Sequence, residues 1–137
     1  CRNFPEVTLQ VGGLDDALRR ATVALASTGT VTLECAWFGV PTVTLYKTSR
    51  LTFEIGRRII TVPHLAMPNL LAGGPLLPEF VQHTATAPAL AAAVRELLQD
   101  RDRRSRMRTE LRKVARSLGP PGTADRAAGA ILSLFHP

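Results

Sequence analysis

The turn at Ser27–Thr30 carries the residue types that could bind a phosphate. It follows a short apolar run, Val23–Ala26, which is typical of a buried parallel strand, and a helical pattern begins after it. A helix that begins just past a strand presents unpaired backbone N–H groups and a partial positive charge, both of which favour an anion. Gly29 lets a phosphate approach the backbone closely, and the hydroxyl groups of Thr28 and Thr30 add donors.

Glu34 lies four residues after Thr30, on the same face of the predicted helix. Helical side chains tilt toward the N-terminus, so this carboxylate could accept two hydrogen bonds from a vicinal diol such as a ribose. Phosphate at the turn and ribose at Glu34 would make a nucleotide site. The alternative is structural, because strand–helix connections are commonly built from small residues whose Ser or Thr only caps the helix. The motif is looser than a P-loop, so the residues alone leave both interpretations open.

The first half of the chain alternates between strand and helix patterns. The predicted strands are Val7–Val11, Val23–Ala26 and Thr42–Tyr46, and the predicted helices between them cover residues 14–21 and 30–38. This alternation indicates a doubly wound α/β domain with a parallel sheet, in which ligands bind at the carboxyl ends of the strands. The candidate turn lies at one of those ends.

The second half of the sequence is mostly helical. Ser49 is predicted to cap a helix that runs to about Ile60, and three later amphipathic helices are predicted at residues 86–98, 103–118 and 123–135. The segment from Val62 to Pro78 is rich in proline and glycine and unusually apolar, so we expect an irregular loop with a buried or functional role. Asn69, alone among apolar neighbours there, either pins the loop backbone or contacts a ligand. A helical turn is predicted from Pro78 to Gln82.

The composition limits the classes of partner that the chain could bind. With 137 residues, one domain is expected, and the net charge of +6 comes almost entirely from arginine. Such a charge suits nucleic acid, anionic lipid or a phosphorylated substrate, although the aromatic content of 5% does not favour stacking on single strands. The arginine-rich face of residues 101–116 is best explained as a solvated helix face, with an anionic membrane or nucleic acid as alternatives.

The sequence lacks the patterns of a catalytic or metal centre. His64, His83 and His136 are scattered without metal-ligand spacing, and no nucleophile elbow is present. Cys1 and Cys35 are too few for a disulfide framework, which favours a reducing compartment. No membrane-spanning run or secretory leader is visible. The chain begins with Cys1 rather than Met and enters a strand pattern almost at once, so we expect a fragment of a longer protein.

Several separated segments together resemble one family, the lipid-A-disaccharide synthases, which are GT-B glycosyltransferases. The similar segments are Thr28–Glu34, Pro41 with Tyr46, Ser49-x-Leu51-Thr52 with Arg57-Arg58, Pro68–Gly73, Pro78-Glu79-x-x-Gln82 and Gly122-x-Ala124-x-Arg126-Ala127-Ala128. Their order and spacing agree with the C-terminal part of the family from about Val7 to Phe135. The Gly-Thr-x-Thr-Leu-Glu element also resembles other GT-B enzymes, so a different UDP-sugar transferase or an epimerase-like domain is an alternative. A basic nucleic-acid-binding module is a rival of another class.

The resemblance implies the C-terminal Rossmann-like half of a GT-B fold, with a parallel sheet, flanking helices and a helical C-terminal end. Residues 1–118 would form the donor-nucleotide-binding domain as a fragment, and residues 119–137 the crossover helix. The implied enzyme is inverting and independent of metals and cofactors. It condenses UDP-2,3-diacylglucosamine with 2,3-diacylglucosamine 1-phosphate (lipid X) and releases UDP in lipid A biosynthesis. It would work in the bacterial cytoplasm, bound peripherally to the inner membrane, without a nucleic-acid partner.

The resemblance also implies roles for individual residues. The UDP diphosphate would contact Thr28, Gly29 and Thr30, the ribose Glu34, and the donor sugar or diphosphate Asn69, Glu79 and Gln82. The catalytic residues are expected on an N-terminal domain that this chain lacks, so we expect UDP binding without transferase activity. The family usually has Ser at Thr28 and Arg at Gly74, which puts any phosphate contact from that Arg in doubt. Without the N-terminal domain, the apolar stripe of the last helix predicts a homodimer or a poorly ordered tail.

Overall fold

The computed structural model describes residues 6–59, 61–120 and 122–135 as a parallel sheet with flanking helices. The strands are β1 (Ala24–Ser27), β2 (Thr42–Tyr46) and β3 (Glu79–Val81). The helices are α1 (Leu14–Arg20), α2 (Thr30–Trp37), α3 (Arg50–Ile59), α4 (Met67–Ala72), α5 (Ala87–Gln99), α6 (Arg101–Ser117) and α7 (Thr123–Leu132). The strand order is β1-β2-β3 and both pairings are parallel, which confirms the predicted α/β class.

The middle strand, β2, is the most deeply buried of the three. Thr42, Val43 and Thr44 are fully inaccessible to solvent. A buried hydroxyl needs a partner, and both threonines have one: Thr42 Oγ1 donates to the carbonyl of Val40 (2.8 Å), and Thr44 Oγ1 donates to that of Pro78 (3.0 Å). Helices cover this strand, as is usual in a parallel sheet.

The main core lies where α5 and α6 pack against the sheet and α2. Leu97, Met107 and Leu111 are buried there with Ala36 and Val43. Burial of each such leucine stabilises the fold by about 2 kcal/mol. The amphipathic patterns of these two helices therefore predicted most of their inner faces, but Leu98 and Leu118 at the ends of the same stripes are 51% and 46% exposed.

Two arginines of the predicted solvated face instead anchor α6. Arg104 Nη1 donates to the carbonyl of Leu97 at 2.6 Å and also to that of Leu98, near the end of α5. Arg108 Nε donates to the carbonyl of Gly39 at 3.1 Å, just after α2. The cations thus meet carbonyl groups at helix carboxyl ends, where a positive charge is favourable.

The predicted strand at Val7–Val11 is wrong. These residues pair with no strand in the described part of the chain, and the side chains of Val7, Leu9 and Val11 are 72–96% exposed. Their alternating pattern suits a half-buried strand, but a strand forms only where a neighbour supplies a hydrogen-bonding ladder.

Two predictions around Asn69 also need correction. The expected irregular loop contains α4, which has Pro68 in its first turn and ends at Gly73 with φ 69°. The expected helical turn at residues 78–82 is instead β3, followed by a 3-10 turn at Gln82–Thr84. Glu79 and Gln82 are spaced like neighbours on a helix, but pairing with β2 makes residues 79–81 extended, and Gln82 begins the 3-10 turn.

Cys35 is expected to react slowly with thiol reagents in the folded chain. It is 1% exposed, and burial raises the pKa of its thiol above the usual 9.0; the nearby Glu34 also raises it, while the Thr42 hydroxyl lowers it. In a Cys1→Ser chain, we expect a thiol reagent to label Cys35 about 100-fold more slowly in the folded state than in the urea-unfolded state. Labelling of the folded chain requires a local opening of the structure that costs about 3 kcal/mol.

The same thiol sets a pH dependence of stability. Burial raises the pKa of this thiol in the folded chain, so the buried neutral thiol contributes to the free energy of unfolding. This contribution is fully present below the pKa of the unfolded thiol and is lost as the pH rises past about 9. Urea unfolding between pH 7 and 10 should show this loss of stability, and a Cys35→Ala chain should not show it.

The labelling experiment also tests the buried position of Cys35. Fast labelling of the folded chain would contradict it.

Candidate functional site

The carboxyl ends of the three strands meet at one edge of the sheet. Ser27 lies opposite Leu45, and Tyr46 lies opposite Val81. The N–H of Thr28 donates to the carbonyl of Leu45 at 2.9 Å, which attaches the turn to the end of β2. The turn, the segment after β2 and the segment after β3 therefore share the edge where open α/β sheets bind ligands.

The turn between β1 and α2 is open at its centre. Gly29 has φ 142° and ψ −164°, a conformation essentially restricted to glycine, and a Cβ placed on it would meet nothing within 4 Å. It is the N-cap of α2, and no side chain caps the helix there. The interpretation of the turn as a Ser or Thr cap is therefore wrong. The N-terminus of α2, which carries a partial positive charge, therefore has no side-chain cap and has open space beside Gly29.

The polar side chains beside this opening have free hydrogen-bonding capacity. Thr30 is exposed and Thr28 is half-buried, and within the described residues neither hydroxyl has a hydrogen-bond partner. Glu34, half-buried in the next turn of α2, likewise has no side-chain hydrogen bond or ion pair in the described part of the chain. In contrast, Thr32 donates its hydroxyl hydrogen to the carbonyl of Gly29 at 2.6 Å and so stabilises the turn.

Asn69 pins the backbone around α4. Its side chain is fully buried, and Nδ2 donates both hydrogens, to the carbonyl of Leu77 (2.9 Å) and to Glu79 Oε1 (2.8 Å). Oδ1 accepts from the N–H of Leu77 at 2.6 Å. Of the two roles that the sequence left open, this geometry shows the structural one.

Glu79 extends the same network to the segment before α4. Its Oε1 accepts from the N–H of Ala66 at 2.8 Å and its Oε2 from that of Leu65 at 3.1 Å. His64 Nδ1 lies 3.9 Å from Oε2, and the Glu79 side chain is 13% exposed. The carboxylate is therefore stabilised by three N–H donors, including Asn69, and fixes the start of α4 against β3.

Gln82 joins the ends of β2 and β3. Its Oε1 accepts from the N–H of Thr48 at 2.8 Å, and its Nε2 donates to the Thr48 carbonyl at 3.0 Å. The backbone of Gln82 is left-handed, with φ 49°, the single non-glycine case in the described ranges. Sequence reasoning missed Thr48, because nothing local to it signals a partner 34 residues away.

The last helix, α7, forms close to its predicted position. All of its residues are exposed, and Ile131, Leu134 and Phe135 near the C-terminus are 57–79% exposed.

Within the described ranges, no group of His, Cys, Asp and Glu side chains could hold a metal ion, and His136 lies outside those ranges. Every helix described is too short or too polar to cross a bilayer.

Comparisons with known proteins place this arrangement in a family. A sequence model of the lipid-A-disaccharide synthetase family matches residues 6–129. The lipid-A-disaccharide synthase of Syntrophus aciditrophicus is 39% identical over 131 residues, and that of Geobacter sulfurreducens is 36% identical over 130. The Gluconobacter oxydans protein of the same name is 40% identical over 134 residues. These matches cover 95–96% of the chain but only 32–34% of each relative, so the chain spans about a third of their length. The chain therefore belongs to the lipid-A-disaccharide synthetase family.

Proposed function

We propose that this chain is the donor-nucleotide part of a lipid-A-disaccharide synthase. It binds the UDP group of UDP-2,3-diacylglucosamine, while the rest of the longer protein provides the catalytic base and positions the attacking hydroxyl group of lipid X. The family match and the names of the relatives support the glycosyltransferase class. The open turn at the carboxyl edge of the sheet supports the placement of the nucleotide on this chain.

The observation that carries the proposal is the uncapped N-terminus of α2 behind Gly29. A diphosphate at the turn would accept hydrogen bonds from backbone N–H groups and from the hydroxyls of Thr28 and Thr30. UDP gains negative charge as its bond to the sugar breaks, so a helix N-terminus directed at it stabilises the departing group. The unpaired carboxylate of Glu34 would accept hydrogen bonds from the ribose diol.

In this proposal, Asn69, Glu79 and Gln82 serve the donor by holding backbone in place. The first two fix the segment of residues 64–79, and Gln82 fixes the ends of β2 and β3 through Thr48. Their side-chain atoms already take part in protein hydrogen bonds. We therefore assign them as positioning residues for the donor sugar and diphosphate.

The proposal includes peripheral attachment to the cytoplasmic face of the inner membrane. Support comes from α3, in which no residue is buried and in which Leu51, Ile55 and Ile59 are 52–73% exposed. Arg57 and Arg58 lie in the last turn of the same helix, and an apolar stripe with basic neighbours suits an anionic lipid surface. The exposed apolar side chains of α7 would be covered by the N-terminal domain of the longer protein or by a second copy.

Calorimetric titration with UDP tests the donor site. We expect Glu34→Ala to lower the affinity for UDP about tenfold or more, because the ribose loses hydrogen bonds to a charged acceptor worth about 1.5–3 kcal/mol each. Glu110→Ala is the matched control: Glu110 is on α6 and its carboxylate pairs with Lys113, so UDP affinity should not change.

A second ligand shows whether Glu34 contacts the ribose. The 2′-deoxy analogue of UDP should bind the unaltered chain more weakly than UDP, and the Glu34→Ala variant should no longer distinguish the two nucleotides. Failure of the unaltered chain to bind UDP at millimolar concentration would overturn the proposed function. If the unaltered chain and the Glu34→Ala variant distinguish UDP from its 2′-deoxy analogue equally well, the proposed role of Glu34 is overturned.

A further inference from the structure

A second concave surface lies at the same edge of the sheet, between α3 and the 3-10 turn after β3. It encloses about 530 Å³ and is lined by Lys47, Arg50, Phe53, Glu54, Gln82 and His83, together with Thr48. Nothing in the site described above uses the three basic side chains.

The charge of this surface is uncompensated and positive. Lys47, Arg50 and His83 are exposed, and in the described part of the chain their side chains form no hydrogen bond or ion pair. The acid that lines the surface, Glu54, is already paired with Arg57 at 2.8 Å. Donors that converge on a concave surface without counter-charges suit an anion, and an Arg–Lys pair suits a phosphate.

The backbone that carries these side chains is held firmly. Gln82 bonds both backbone groups of Thr48, so the segment that leads into α3 is tied to the residue before His83. Ser49 Oγ accepts from the N–H of Thr52 at 3.0 Å and fixes the beginning of α3. The left-handed Gln82 is an unfavourable conformation for a non-glycine residue, and its hydrogen bonds to Thr48 oppose its relaxation.

We propose that Lys47, Arg50 and His83 form a phosphate subsite for the phosphate monoester of the acceptor sugar. This rests on the proposed function, in which the donor diphosphate occupies the turn at Thr28–Thr30. Lys47 and Arg50 follow β2 and His83 follows β3, so the strand ends that carry the subsite lie one and two strand spacings, about 5 and 10 Å, from the end of β1. That range allows one sugar ring between the two phosphate sites. The subsite thus binds the acceptor phosphate while its hydroxyl approaches the donor sugar.

Glucosamine 1-phosphate is a soluble probe of this subsite. In ¹⁵N–¹H NMR titrations of the chain, we expect it to shift the amide signals of Lys47–Arg50 and His83, with or without saturating UDP. A Lys47→Ala/Arg50→Ala chain should bind it about tenfold or more weakly, while its UDP affinity changes less than twofold. The control is Arg58→Ala/Lys113→Ala, which removes the same charge elsewhere. All four cations are exposed, and thermal melting checks that both variants fold.

Each alternative has its own outcome. If the double variant loses UDP and glucosamine 1-phosphate affinity equally, the cations serve the donor diphosphate and the proposal is overturned. Equal binding of glucosamine without phosphate, unchanged binding by the double variant, or no binding by the unaltered chain would also overturn it. Failure of the donor proposal is distinguishable, because glucosamine 1-phosphate binding would persist in a chain that does not bind UDP.

Discussion

Replacement of Asn69 by alanine is expected to lower the free energy of unfolding by about 3–4 kcal/mol. The change leaves the N–H and the carbonyl of Leu77 without their side-chain partners in a fully buried position, and each buried unsatisfied group costs about 1–3 kcal/mol. Glu79 also loses one of its donors. Urea unfolding gives the free energy, and the melting temperature should fall by about 10 °C in a chain of this length.

The control for this prediction is Leu71→Ala in the same helix. Leu71 is 46% exposed, so its truncation should cost less than about 1 kcal/mol. If Asn69→Ala unfolds like the unaltered chain but no longer binds UDP, Asn69 contacts the ligand and its structural role is wrong. If it is destabilised and the folded variant binds UDP more weakly, the buried network both stabilises the fold and positions the donor; if the folded variant binds UDP normally, the network only stabilises the fold and its positioning role is overturned.

The parts of the fold that local sequence could predict are those with strong periodicity and local caps. Thr86 and Asp100 cap α5 and α6 by accepting from backbone N–H groups three residues later, and both helices lie where their apolar stripes place them. The turn at Gly29 was likewise found from neighbouring residues, because a strand, a small-residue turn and a helix follow one another directly in the chain.

The parts that local sequence cannot predict depend on partners far along the chain. Strand β3 is a strand only through its pairing with β2, and the predicted strand at Val7–Val11 has no such partner in the described residues. The hydrogen bonds of Asn69, Glu79 and Gln82 join residues 8 to 34 positions apart. Their residue types indicated polar function, but only the folded chain shows which groups they satisfy.

The strongest effect on UDP binding is expected from Gly29→Val. The φ of 142° and ψ of −164° at Gly29 are essentially closed to a β-branched residue, so the turn must change conformation or accept strain of about 1–3 kcal/mol. Because a Cβ there would meet no protein atom within 4 Å, the added side chain would occupy the space proposed for the diphosphate.

We therefore expect Gly29→Val to lower UDP affinity about 100-fold or more, as measured by calorimetry, while the chain remains folded. Gly12→Val is the matched control, since Gly12 also has a positive φ (77°) and open surroundings but lies before α1, in the segment that pairs with no described strand. It should share the destabilisation and keep the UDP affinity. If both variants bind UDP equally well, the diphosphate does not lie at this turn. If only Gly29→Val loses binding, with similar stability in the two variants, the loss comes from the occupied space and the displaced N–H groups rather than from backbone strain in general.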